Sequence, residues 1–360
     1  MKKKLHYEVL RIIAFICVLF NHTAGYGFDL FTVSESTPVR VLSIFLDNIS
    51  KTGVPVFLMV SGALLIPKKE GVRNLLVKRV FKMALVLLLV SALYYVRFCI
   101  KNPEYGVNLK YFIQVIYVQP FVTPLWFMYI YLAFLLMLPF LRKMALNMTE
   151  REWEFLMLLS LVFCFVTPAL TSYMGGASYL SIPMMSLGII YPLAGYYVDS
   201  VFDPRKILSR MNKVISIGNR RHVAKACLFA LVNSAVCIFL TLHEHLKTGQ
   251  WTYSYIEGML FIPAFALFYI IRTVFKDRTP GGAAGRVIAY TGSCIFIIYL
   301  CEEALREDLG MIIYRRFANP SNLLILFIPY MLLMFAAGIA AASLVKISGR
   351  FMGGIRRKEG

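Results

Sequence analysis

The sequence predicts an all-α integral membrane protein: a bundle of about ten transmembrane helices with the N- and C-termini cytoplasmic. Three observations carry that expectation. Hydrophobic side chains make up 59% of the 360 residues and charged ones only 16%, against about 45–50% and about 25% in soluble domains. Apolar stretches of roughly 20 residues, the length that crosses a bilayer, recur from end to end. Between them, Lys and Arg gather in every second connection.

Spans are expected near residues 7–27, 43–66, 80–100, 124–141, 154–172, 180–198, 224–242, 254–274, 287–304 and 323–345. The first follows "MKKK", which has the charge of a signal-peptide n-region. No small-residue cleavage site ends a short apolar run there, so it is read as a retained helix. The stretch "LKYFIQVIYVQPFV" before the fourth span is too short and too polar to cross, and is read as interfacial or re-entrant. Prolines 55, 139, 168, 183 and 263 are expected to kink helices or mark their ends.

Orientation follows from the positive-inside rule. With the N-terminus inside, the cytoplasmic segments are Lys2–Lys4, "PKKEGVRNLLVKR", "RKMALNMTER", "DPRKILSRMNKVISIGNRR", "FKDRTPGGAAGR" and the tail "KISGRFMGGIRRKEG". The opposite connections hold far fewer cations, chiefly Arg40, Lys101, Lys110, Lys247, Arg306, Arg315 and Arg316. The net charge of +19 is therefore mostly a topology signal, with the lipid bilayer as the partner and no nucleic acid. The seven cysteines are scattered, without metal or redox spacing. No linker, low-complexity tract or repeat divides the chain. It reads as one transmembrane domain over 1–348 and a basic cytoplasmic tail over 349–360.

Chemistry must then use helix-borne residues and short loops. An ionisable side chain at bilayer depth is expensive, so it faces the protein interior and has a partner. In "LRIIAFICVLFNHTAG", Arg11 and His22 stand eleven positions apart. That is three helical turns plus about 20°, so both face one way, about 16 Å apart along the axis. Glu8 lies one turn before Arg11 and is placed to pair with it. By residue physics alone, Arg11 equally suits a snorkelling anchor and His22 a satisfied packing histidine. In "DNISKTGVPVFLMVSGALL", Gly53 and Pro55 break the helix, and Ser61 and Gly62 permit close packing. The run "GVRNLLVKRVFKM" sets Arg73, Lys78, Arg79 and Lys82 at the start of the third span, with Arg79 and Lys82 expected on one face. Such a cluster suits phosphates, and equally the positive-inside signal alone. Towards the outer side lie Lys51, Arg97, Trp126, Glu257, Glu302 and Glu303. Tyr26, Tyr94, Tyr95, Tyr129, Tyr253, Tyr255 and Tyr299 share that level, as an interfacial belt or as a sugar platform.

Taken in order, these segments resemble the membrane-bound acyltransferase-3 family. "EVLRIIAFICVLFNH" resembles its Arg-(ten residues)-His opening signature, and "SKTGVPVFLMVSGALL" its second-helix motif. "KRVFK" is similar to its basic Arg-x-x-Arg motif, "TPLWFMYIYLAFLLMLPFL" to its Leu-Trp-Phe helix, and "YTGSCIFIIYLCEE" to its late serine-bearing Ile-Tyr-Leu segment. The resemblance implies about ten transmembrane helices and transfer of an acyl group, typically acetyl, to a carbohydrate hydroxyl. It implies acyl-CoA as cytoplasmic co-substrate, no tightly bound cofactor, and a surface polysaccharide or lipid-linked glycan as acceptor, at the plasma membrane of a bacterial cell. Arg11 and His22 match the family's functional pair and Trp126 its tryptophan. Two positions depart from it. Lys82 stands where Arg is usual, which keeps the charge but loses bidentate geometry, and Glu302 stands where many members have His.

On this reading His22 is the general base, because a reference pKa of about 6.5 leaves it neutral near pH 7. Glu302 or Glu303 orients it or the sugar, and Arg11, too far away for the same reacting atom, serves the donor arm or the helix. Arg73, Lys78, Arg79 and Lys82 are expected to hold the CoA phosphates, and Trp126, Lys51, Glu257 and Glu303 the acceptor. The rival reading is a transporter or flippase for a glycan, lipid-linked sugar or small amphiphile, told apart by flux that persists without an acyl donor. No metal site is expected.

Overall fold

The computed structural model describes residues 4–23, 30–32, 34–174, 186–203, 219–276, 278–279, 281–310, 312 and 323–356. Among these, every regular element is a helix. In chain order they are α1 (Leu5–Asn21), α2 (Thr37–Leu65), α3 (Val72–Lys101), α4 (Leu109–Val118), α5 (Thr123–Asn147) and α6 (Glu150–Thr171). Then come α7 (Leu187–Tyr196), α8 (Asn219–Thr248), α9 (Ser254–Gly258), α10 (Phe261–Phe275), α11 (Gly282–Gly310) and α12 (Leu323–Arg356). Seven of the described helices (α2, α3, α5, α6, α8, α11 and α12) are long and apolar enough to cross a membrane. At 17 and 15 residues, α1 and α10 fall short of that length, as does α7, which continues as a π turn over Tyr197–Val201.

Several expected bounds move. The second span begins earlier, at Thr37, and turns at Lys51 and Thr52 before Gly53 restarts it. The fourth runs on to Asn147 and the last to Arg356. The eighth, expected over 254–274, is broken between Gly258 and Phe261. Pro263 is the cause, since it has no N–H to donate to the carbonyl four residues back and its ring crowds that carbonyl. The Met259 carbonyl turns instead to side-chain amides, accepting from Asn233 Nδ2 at 3.1 Å and Asn48 Nδ2 at 3.4 Å. Expectations on Tyr26, Pro183, Arg315, Arg316, residues 180–185 and most of the 203–221 connection fall outside the described residues. The stretch before the fourth span forms the ten-residue α4, with Tyr117 91% exposed and only Phe112 buried.

The bundle is centred on α1. Leu10, Ala14, Phe15 and Leu19 are fully buried, facing α2 on one side and α11 on the other. Glycines bring these helices together, the device by which membrane helices pack without a hydrophobic drive. A Cβ on Gly53 would stand 2.6 Å from the Ala14 carbonyl oxygen, and one on Gly292 would stand 2.8 Å from Glu8 Cβ. Where α2 crosses α7 the backbones touch: a Cβ on Gly62 would collide with Pro192, and one on Gly195 with Met59.

Charged clusters mark the two ends of the bundle. At the proximal end, where α1 begins, Asp199 accepts from Tyr7 Oη at 2.9 Å, and its Oδ1 lies 3.4 Å from Nε2 of the fully buried His6. Arg272 of α10 donates to the Asp199 backbone carbonyl at 2.6 Å. Nearby elements of the same kind join the end of α2 to α3 and α5. Arg142 donates to the Leu65 carbonyl at 3.0 and 3.1 Å and to the Glu70 carbonyl at 3.1 Å, while Glu70 Oε2 accepts from Arg79 Nε at 2.8 Å. At the distal end, Arg97 of α3 pairs with Glu307 and Asp308 of α11. Helix starts meet helix ends at the proximal cluster, and the ends of α3 and α11 meet at the distal one, so α3 and α11 run in the same direction.

Candidate active site

One cavity of about 770 Å³ runs along α1 and takes in both Arg11 and His22. Its walls come from α2 (Lys51, Val54, Pro55, Phe57, Ser61), α5 (Trp126, Phe127, Tyr131), α9 (Glu257), the α9–α10 connection (Leu260) and α11 (Gly292, Ser293, Phe296, Tyr299). The volume lies within the range of small-molecule sites, and the lining has their composition, apolar and aromatic with a few convergent polar groups.

At the distal end, His22 caps the C-terminus of α1. Its Nδ1 lies 2.9 Å from Oε2 of Glu302, which is fully buried in α11. A carboxylate in that place accepts a hydrogen bond from Nδ1–H and leaves Nε2 as the basic nitrogen, since the tautomer of a histidine is set by the bond its other nitrogen makes. Lys51 Nζ and Glu257 Oε1 meet at 3.0 Å on the cavity wall, with the ammonium 5.3 Å from the Tyr253 ring centroid. Trp126, at the start of the α-helical part of α5, lines the same cavity, and Tyr299 Oη donates to the Pro124 carbonyl at 2.5 Å.

At the proximal end, Arg11 Nη1 donates to both oxygens of the buried Glu8, at 3.0 and 3.1 Å. Ser61 and Ser293 also line the cavity. Behind Ser293, Lys346 of α12 donates to its Oγ at 2.8 Å and lies 3.0 Å from Cys294 Sγ. The structure places Lys346 inside α12, whereas in the sequence it counts only among the cations of the tail. Its signal there is a lone ammonium in the apolar run "AASLVKIS".

The structure separates residues that the sequence groups together. Glu302 meets His22, whereas Glu303, one residue on, turns away to Arg306, whose Nε lies 3.3 Å from it. Neighbours on a helix point about 100° apart. In the basic run, Leu76–Val80 forms a π turn, whose wider winding upsets the three-residue register expected of Arg79 and Lys82. Arg79 turns inward to Glu70 while Arg73, Lys78 and Lys82 are exposed, and none of the four lines the cavity. The hydrogen bond from Arg79 holds the Glu70 carboxyl below the usual carboxylate range.

The fold and this cavity define a class: a helical membrane protein with a largely apolar, histidine-bearing chamber inside the bundle. A family model described as an acyltransferase domain, acyltransferase family 3, matches residues 6–347. The chain belongs to that family and is a membrane acyltransferase. No curated protein and no solved structure matches it.

Proposed function

We propose that the protein moves an acyl group, acetyl in the simplest case, from cytoplasmic acyl-CoA to a hydroxyl of a cell-envelope carbohydrate. Ten spans are proposed, α1, α7 and α10 joining the seven longer ones, with the proximal end and both termini cytoplasmic. The observation that supports this best is that one cavity takes in both Arg11, towards its proximal end, and His22, towards its distal end. On this reading donor and acceptor approach one chamber from opposite ends.

In this mechanism the acceptor hydroxyl enters from the distal end beside Trp126, Lys51 and Glu257. His22 Nε2 takes its proton as the oxygen attacks the thioester carbonyl carbon. Glu302 holds Nδ1–H and stabilises the imidazolium that forms, the role of the acid in any acid–histidine–nucleophile arrangement. The tetrahedral intermediate collapses, the C–S bond breaks, and the imidazolium returns its proton to the leaving thiolate. Arg11, about 16 Å away by helix rise, acts on the donor arm rather than on the reacting atoms. The cations of "GVRNLLVKRVFKM" draw the CoA phosphates to the proximal mouth, with Arg73, Lys78 and Lys82 exposed for them and Arg79 anchored by Glu70.

The test is transfer from labelled acetyl-CoA to a glycan acceptor by purified, reconstituted protein. His22→Ala is expected to lower the rate by about 10²–10⁴-fold, the usual worth of a general base. Undiminished transfer would sink the assignment.

A further inference from the structure

We infer that the protein carries a second site, a groove between α6, α8 and α10 that takes an acyl chain of an anionic phospholipid, with His222 and Lys225 at the head-group end. The groove has a volume of about 430 Å³. Its walls are apolar, with Leu161 from α6, Phe229 from α8 and Phe265 from α10. It is distinct from the transfer cavity. Leu260 borders that cavity and Phe261, the next residue, borders the groove, so the start of α10 divides the two.

His222 is the feature that needs a ligand. It is only 7% exposed, it lines this apolar wall, and its Nε2 has no hydrogen-bond partner among the described residues. A polar group buried without a partner is costly in such surroundings. Lys225 lies three residues on, on the same side of α8, and lines the groove while its side chain is exposed. Exposed Arg221 stands four residues before Lys225. An imidazole and an ammonium at one end of an apolar groove match a phosphate ester joined to an acyl chain. Basic pockets of this kind between membrane helices bind anionic head groups. The inference rests on bilayer embedding and on this groove, not on the transfer chemistry.

The experiment is native mass spectrometry of the full chain in mild detergent, titrated with phosphatidylglycerol or phosphatidylcholine and no acyl donor. Phosphatidylglycerol is expected to be retained at several-fold lower concentration than phosphatidylcholine. His222→Leu/Lys225→Gln should bring the two lipids level, and Ala226→Phe, which fills the groove, should weaken both. Equal retention of the two lipids by the unaltered chain would overturn the proposal, and so would an unchanged preference in His222→Leu/Lys225→Gln. Displacement of the lipid by inorganic phosphate alone would overturn the acyl-chain part. If Ala226→Phe fails to fold, the polar double variant, checked by thermal unfolding without added lipid, still decides the matter.

Discussion

The His22 imidazole meets the Glu302 carboxylate across 280 positions of sequence, Nδ1 to Oε2 at 2.9 Å, with the carboxylate fully buried. This pairing fixes which nitrogen of His22 is free to act, and it occurs at the position where the acyltransferase-3 pattern commonly has His. Glu302→Gln keeps the shape and one hydrogen bond but removes the charge that favours an imidazolium. Its turnover is expected to fall by on the order of 10²–10⁴-fold, the worth of a general base whose orienting acid is lost. On the proposed mechanism, KM for the acceptor should change little. Steady-state transfer with varied acceptor checks this split; a change in KM alone would assign Glu302 to binding.

Arg11 and Glu8 are predicted to be coupled. Glu8 is 5% exposed and both its oxygens accept from Arg11 Nη1, while Gly292 of α11 packs against it. Arg11→Gln strands a buried carboxylate, a change that costs about 3 kcal/mol or more in buried pairs. Glu8→Gln/Arg11→Gln removes both charges and should regain most of the thermal stability. Transfer should stay low in the double variant if Arg11 serves the donor, and should return with stability if it serves only the helix. Unfolding temperature and transfer rate, measured on the same preparations, separate the two roles.

Much of this site could be read from the sequence because it rests on one helix. The eleven-residue interval puts Arg11 and His22 on one face of α1, and both line one cavity. What could not be read depends on contacts between distant segments. Glu302 and Glu303 are adjacent and chemically alike, and only the packing of α11 against α1 decides which of them reaches His22. The basic run announces charge but not direction. A π turn, which no residue type marks, sends Arg79 to Glu70, and Arg142, far along the chain, completes that cluster. The break before α10 was half legible. Pro263 says that a helix stops or bends nearby, but not that Asn48 and Asn233 accompany the break.

Stability at acid pH should carry the mark of Glu70. Hydrogen bonding from Arg79 lowers its pKa in the folded chain. A lowered carboxyl pKa contributes stability that is fully present above the unfolded value of about 4.3 and is lost as pH falls through the folded value. The unaltered chain should therefore unfold at a higher temperature than Glu70→Gln at pH 7, and the difference should close below about pH 4. A difference that is constant from pH 7 to pH 3 would show that the carboxylate charge contributes nothing.

The Met259 carbonyl offers a double-mutant cycle. Asn48→Ala/Asn233→Ala removes both amides that reach it, leaving a buried acceptor unpaired at a cost of about 1–3 kcal/mol. Pro263→Ala restores an N–H that can close the helical bond to residue 259. In the Pro263→Ala background, removing the two asparagines should therefore cost less. Chemical or thermal unfolding of the four proteins gives the coupling energy. Strict additivity would mean that the proline and the amides do not share that carbonyl.

The crossing of α2 and α7 should be the least tolerant place in the bundle. A methyl group added at Gly62 meets the Pro192 backbone, and one added at Gly195 meets the Met59 backbone. Backbone cannot swing aside as the tip of a long side chain can, so the two helices must separate. Overpacking of this kind costs about 1–3 kcal/mol, and more where the frame is rigid. Gly71 is the control, since it lies just before α3 with φ −69° and nothing within 4 Å of its added Cβ. Gly71→Ala should leave the unfolding temperature unchanged within error, whereas Gly62→Ala and Gly195→Ala should each lower it by several degrees and reduce the yield of monodisperse protein. Because α2 also carries Phe57 and Ser61 into the cavity, transfer should fall with stability in those two variants. A Gly62→Ala protein as stable as Gly71→Ala would mean that α2 and α7 lie further apart than this crossing places them.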